Sequence, residues 1–165
     1  MKSSILKPGK KYTFSDYFHF NCPTKQIVGE FGYTLTSQVL TFPEFTNYDP
    51  VAISALQSRF YKLWPLLPLT SEQARRDFLI GPLLLEIIDV CEIEILVQYQ
   101  LYVDELLNGF LDYLMRGKHE LLVIEAKKGD MDKGFNQLAI ELIALDKTEE
   151  SGDNLLYGAI TVGDF

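Results

Sequence analysis

Residues 108–147 read NGFLDYLMRGKHELLVIEAKKGDMDKGFNQLAIELIALDK, and this stretch decides the fold. Leu121-Leu122-Val123-Ile124 is a short continuous apolar run, the composition of a strand buried on both faces. Glu125 follows it directly, where a carboxylate is costly unless something pairs with it. Side chains alternate along a strand, so Glu125 and Lys127 should point to one side and Ala126 to the other. Phe110-Leu111-Asp112-Tyr113-Leu114 sets a second carboxylate inside another apolar strand, and Arg116-Gly117-Lys118-His119 is a polar turn able to fold the two strands into an antiparallel pair. Two carboxylates and a lysine would then converge at one end of a sheet. Beyond Lys128-Gly129-Asp130 the spacing predicts a helix from about Lys133 to Asp146. Phe135, Leu138, Ala139, Leu142, Ile143 and Leu145 form its apolar stripe, while Gln137 and Glu141, four apart, share a more polar face.

Working outward, Glu94 to Val103 reads as a long strand of mixed pattern, expected near a sheet edge. Thr148 to Asn154 is a polar loop, and Leu155 to Val162 reads as a last, buried strand. A strand–helix–strand unit of this kind favours a parallel, right-handed crossover. Upstream, Thr70 to Gln73 offers a capping box for a helix reaching about Asp89, with Phe78, Leu79, Leu83 and Ile87 as its buried stripe. Pro82 should kink or split that helix. The order is helix, three strands, helix, strand, which predicts an α/β fold built on an α+β mixed sheet.

This pattern resembles the PD-(D/E)XK, or restriction-endonuclease-like, nuclease superfamily. The family's motif is a carboxylate on one strand and Glu-x-Lys on the next, followed by a helix that often carries a glutamine. The matching residues are Asp112, Glu125-Ala126-Lys127 and Gln137, and the likeness, to small bacterial members with a G-x-L-D-Y…V-I-E-A-K-K block, covers residues 70–162. Leu111 stands where the family name has proline, a departure shared by many members. The resemblance implies an αβββαβ core and a Mg²⁺- or Mn²⁺-dependent hydrolysis of phosphodiester bonds, leaving 5′-phosphate and 3′-hydroxyl ends. It implies that Asp112 and Glu125 hold the metal with the carbonyl of Ala126 as a third oxygen. Lys127 would orient the attacking water, and Gln137 would position a water or a backbone phosphate. The helix before the sheet often supplies a further acidic metal ligand; Glu86 is the candidate here, with Glu72 behind it, weighed evenly against a solvated carboxylate on a helix face. Hard divalent cations want oxygen ligands, and such a cation serves both the attacking water and the developing negative charge.

Residues 1–68 are expected to form an N-terminal extension, β-rich and helical, packed on a core of residues 69–165. Tyr12 to Phe20 alternates imperfectly and Phe31 to Thr36 has strand composition. Their aromatics would suit stacking on bases, but a hydrophobic layer over one edge of the core is the better expectation, since exposed aromatics are usually few. His19, between Phe18 and Phe20, reads as a packed or edge residue and His119 as a turn residue. Asp49-Pro50 starts a helix whose apolar face carries Val51, Ala52, Ala55, Leu56, Phe60 and Leu63. Trp64-Pro65-Leu66-Leu67-Pro68 ends it as a hydrophobic linker. The chain stops just past Gly163-Asp164, and we expect the natural protein to continue beyond Phe165.

At 165 residues one domain is the natural expectation, and the length suffices for a sizeable core. The most apolar segment, Phe78 to Val97, is interrupted by Glu86, Asp89, Glu92 and Glu94, so no membrane span or membrane partner is expected. The N-terminus lacks an apolar segment suited to secretion. Cys22 and Cys91 are far apart and read as reduced core thiols of a cytoplasmic protein, with no case for zinc. A net charge of −8 argues against tight, non-specific DNA binding. The relevant charge is local, however, and Arg116, Lys118, Lys127, Lys128 and Lys133 are expected near the site. The expected function is thus a nuclease acting on DNA rather than RNA, with homodimerisation compatible with one site cutting one strand. The alternative is a catalytically silent binding module that keeps the fold, because fold does not settle function.

Overall fold

Apolar runs separated by polar turns give four strands: β1 (Glu94–Tyr102), β2 (Asn108–Arg116), β3 (Glu120–Ala126) and β4 (Leu155–Thr161). In the computed structural model, which describes residues 4–42, 44, 46, 48–117, 120–126 (as backbone), 130–148 and 155–161, they form one sheet in the order β1-β2-β3-β4. β1–β2 and β2–β3 are antiparallel and β3–β4 is parallel. The parallel connection runs through α6 (Met131–Asp146), as a parallel pair requires a long crossover. The protein is therefore a mixed α/β structure, with a helix, three strands, a helix and a strand in sequence. β1 is an edge strand, as its mixed pattern predicted. β4 is the other edge and is only partly buried, not the buried strand its apolar letters suggested.

The chain divides into two units, residues 1–36 with 94–164, and residues 37–93. This division differs from a boundary at residue 68. In the first unit the N-terminal residues are helical, not β-rich: α1 is Phe14–Phe18 and α2 is Thr24–Glu30. Asp16 explains the start of α1, because its carboxylate accepts from both the backbone N–H (2.7 Å) and the hydroxyl (2.9 Å) of Thr13. The Thr13 backbone N–H, first, holds the Asp16 carboxyl below its ordinary value. Phe14 and Tyr17, three apart and so on one helix face, are fully buried. Tyr17 packs on Phe20 with centroids 5.1 Å apart. Its hydroxyl donates to the carbonyl of Leu106 at 2.9 Å, and burial pushes its ionisation well above the ordinary value. The aromatics are thus a layer on the core, as expected, while His19 is exposed at the end of α1.

That core gathers Tyr12, Phe14, Tyr17, Ile27 and Val28 from the N-terminal segment, Leu101, Leu107, Leu111 and Leu114 from the strands and their turn, and Leu138, Ile140, Ile143, Ala144 and Leu145 from α6. Two glycines permit the closest approaches. A Cβ on Gly109 would lie 2.8 Å from the ring of Phe14, and φ there is +149°. A Cβ on Gly158 of β4 would lie 2.9 Å from the methyls of Leu138 and Leu142, so α6 lies directly on that strand. Asp104 closes the β1–β2 turn by accepting from the N–H groups of Leu106 (2.7 Å) and Leu107 (2.9 Å).

The second unit is helical among its described residues. α3 (Pro50–Leu63) begins as expected, with the Asp49 carboxylate accepting from the N–H of Val51 at 2.8 Å. None of its residues is buried, however, and Val51 of its expected apolar face is 73% exposed. The next helix is capped by Ser71, not Thr70: the Ser71 hydroxyl accepts from the N–H of Ala74 at 3.0 Å. It is divided into α4 (Glu72–Arg75), a π-helical turn (Arg76–Ile80) and α5 (Gly81–Cys91). The wide turn lies just before Pro82, which sits in the first turn of α5, where its missing N–H removes least. α5 ends on Glu92 in the left-handed region. Cys91 is exposed rather than a core thiol; Cys22 is partly buried, and burial raises its thiol above the ordinary range. Among the described residues no helix is long and apolar enough to cross a membrane.

Candidate functional site

Asp112 lies in the middle of β2 and is 7% exposed. Its neighbours Leu111, Tyr113, Leu114 and Met115 are all buried, so this carboxylate is embedded in the sheet. The β2–β3 ladder runs Arg116↔Leu121 to Tyr113↔Ile124. The ladder ends there, and the next residues along the two strands are Asp112 and Glu125. β3 brings Glu125 and Ala126 alongside Ile160 and Thr161 of β4. Asp112 and Glu125 are thus each the residue next to the last pair of the β2–β3 ladder. Lys127 falls outside the described residues, as do Lys118, His119 and Lys128, and the side chains of Glu125 and Ala126 are likewise outside the description.

Gln137 lies on α6, whose N-terminus is capped by Asp130 accepting from the Lys133 N–H at 3.2 Å. The polar face expected for Gln137 and Glu141 is turned into the protein. Gln137 is 3% exposed and Glu141 fully buried, and Gln137 Nε2 donates to Glu141 Oε1 at 2.7 Å. The i,i+4 spacing was visible in the sequence, but spacing alone does not distinguish a solvated pair from a buried one.

Gln98 is a residue that sequence reasoning passed over. It stands on β1 opposite Asp112, between the pairs Val97↔Tyr113 and Tyr99↔Leu111, and the ladder steps over it. Its Nε2 donates to Asp112 Oδ1 at 2.8 Å, and its φ is +51°. A polar letter in a mixed strand gave no sign of that backbone.

The basic residues do not all gather as expected. Arg116 is at the hairpin end of β2, four residues from Asp112, which is about 13 Å along a strand. There it lies 3.9 Å from Glu94 and over the ring of Tyr99. Lys133 pairs with Asp130 at 3.5 Å. Glu86 is half-buried on α5 and Glu72 opens α4, both in the second unit, whereas Asp112 belongs to the first. Among the described residues no group of three or more His, Cys, Asp and Glu side chains is placed to hold a metal ion.

Of Asp112, Glu125 and Ala126, Asp112 is the one whose side chain is described, and its carboxylate is the hard oxygen donor that such a cation takes. Comparison with protein-family models, with curated proteins and with solved structures gives no match to this chain.

Proposed function

We propose that the first unit is a divalent-metal-dependent nuclease of the restriction-endonuclease-like type, acting on DNA. The observation that carries this reading is the β2–β3 ladder, beyond whose last pair, Tyr113↔Ile124, the next residues are Asp112 and Glu125, in a unit whose strands and α6 follow the order expected of such a core. The buried Gln137 on the helix after β3 supports it.

In this reading Asp112 and Glu125, with the carbonyl of Ala126, are the residues that would hold Mg²⁺ or Mn²⁺. When bound, such an ion lowers the pKa of water and neutralises charge on the phosphate. Lys127 orients the attacking water and balances negative charge developing on the phosphoryl oxygens. The burial of Asp112 beside Leu111, Tyr113 and Leu114 excludes bulk water from one side of the carboxylate and limits its rotation. Gln137, held by Glu141, contributes a fixed amide dipole from α6.

A second reading, a silent binding module of the same fold, is favoured by the net charge of −8, which opposes a polyanionic substrate. A cleavage assay on duplex, branched and single-stranded DNA with Mg²⁺ or Mn²⁺ separates the two. Cutting that requires metal and is lost in both Glu125→Ala and Lys127→Ala supports the nuclease. Absence of cutting, together with absence of any metal-induced rise in Tm, supports the module.

A further inference from the structure

We propose that Gln98 is a positioning residue for Asp112, fixing the plane of that carboxylate for a divalent cation; this rests on the metal-dependent reading above. Three observations meet at one point of the sheet. Gln98 Nε2 donates to Asp112 Oδ1 at 2.8 Å. The β1–β2 ladder steps over this pair alone between Glu94↔Arg116 and Tyr102↔Asn108. Gln98 also holds φ at +51°, one of only two non-glycine residues with positive φ among the described residues.

A non-glycine residue in the left-handed region is disfavoured, and in mid-strand no helix cap or tight turn calls for it. The other positive-φ side chain, Glu92, ends α5 as a C-cap, which explains it. At Gln98 the consequence is a change in strand parity. Leu96 on one side of it, and Tyr99 and Leu101 on the other, all join the same core, which unbroken alternation forbids. Leu111 and Leu114, three apart on β2, show the same change around Asp112. Irregularities of this kind re-aim a side chain, and strained backbone persists where the surroundings over-determine it. Here the side chain re-aimed is the one that grips the buried carboxylate. Partners that orient metal-binding carboxylates typically contribute 10- to 100-fold to metal affinity.

Calorimetric titration of the full chain with MnCl₂ alone, paired with thermal melts, tests this. Gln98→Gly relieves the left-handed backbone while deleting the amide, so a purely structural role predicts unchanged Mn²⁺ affinity. Positioning predicts affinity weaker by about tenfold or more with Tm unchanged or raised. Gln98→Asn, which tolerates positive φ but is one methylene shorter, should fold and lose affinity likewise. Wild-type affinity in either folded variant overturns the role of Gln98 and leaves the nuclease reading standing. If wild type shows no Mn²⁺ binding that Asp112→Asn removes, the metal-dependent reading fails and the role of Gln98 fails with it.

Discussion

Gln137 Nε2 donates to Glu141 Oε1 at 2.7 Å, one helical turn apart, in the interior of the protein. Each group would be expensive to leave there without the other. Removing one partner of a buried hydrogen bond costs the desolvation of the group left behind, about 1–3 kcal/mol. We expect Gln137→Leu and Glu141→Leu each to destabilise by that order. The double variant should lose less than their sum, since the energy of their shared hydrogen bond is then counted once. Urea unfolding of all four forms checks this, and strict additivity would show that the pair is not energetically coupled.

Gly109 and Gly158 admit different neighbours, and alanine should distinguish them. At Gly158 the new methyl meets the ends of Leu138 and Leu142, which can swing aside. At Gly109 it meets the ring of Phe14 at 2.8 Å, on a backbone with φ of +149°. Overpacking costs about 1–3 kcal/mol, so Gly109→Ala should fall in or above that range and Gly158→Ala at or below its lower end. Equal denaturation midpoints would contradict the packing described for α1 on β2.

Tyr33 donates its hydroxyl to Asp146, tying the segment after α2 to the last residue of α6. That hydrogen bond, then burial, then the charge of Asp146, push the Tyr33 phenol up to about 12. A raised phenol favours the folded state while neutral, so its stabilisation is complete below the ordinary value of 10.0. It is lost as pH rises through about 12. Between these two values the wild-type Tm should fall more steeply than that of Tyr33→Phe, which keeps the ring near Lys147. Parallel Tm–pH curves for the two proteins would remove the assignment.

Metal binding has a signature independent of any substrate. A cation bound by the folded protein alone stabilises it by about 2.7 kcal/mol at a hundredfold excess over Kd. Millimolar Mn²⁺ or Mg²⁺ should raise the Tm of wild type, and Asp112→Ala should abolish the rise. An equal rise in Asp112→Ala would place the ion elsewhere.

The sequence by itself determined the elements that local chemistry specifies. Leu121 to Ile124 is apolar enough to be a strand whatever surrounds it, β3 pairs antiparallel with β2 as the sequence predicts, and Asp49-Pro50 starts α3 with its own carboxylate. The helical stripe of α6, apart from the exposed Phe135, and the parallel return through β4 were legible for the same reason. The tertiary structure decided what short segments and single polar residues became. Helices of five and seven residues are marginal alone, so α1 and α2 form because Phe14, Tyr17, Ile27 and Val28 are buried, and in α1 strand-like letters gave way. Gln137 and Glu141 have the spacing of a solvated pair and are buried, and Gln98 looks like any strand glutamine yet holds a left-handed backbone beside Asp112. Local propensity acts over a few neighbouring residues. Burial and backbone strain are settled by residues distant in sequence, and only the assembled sheet and helix bring those together.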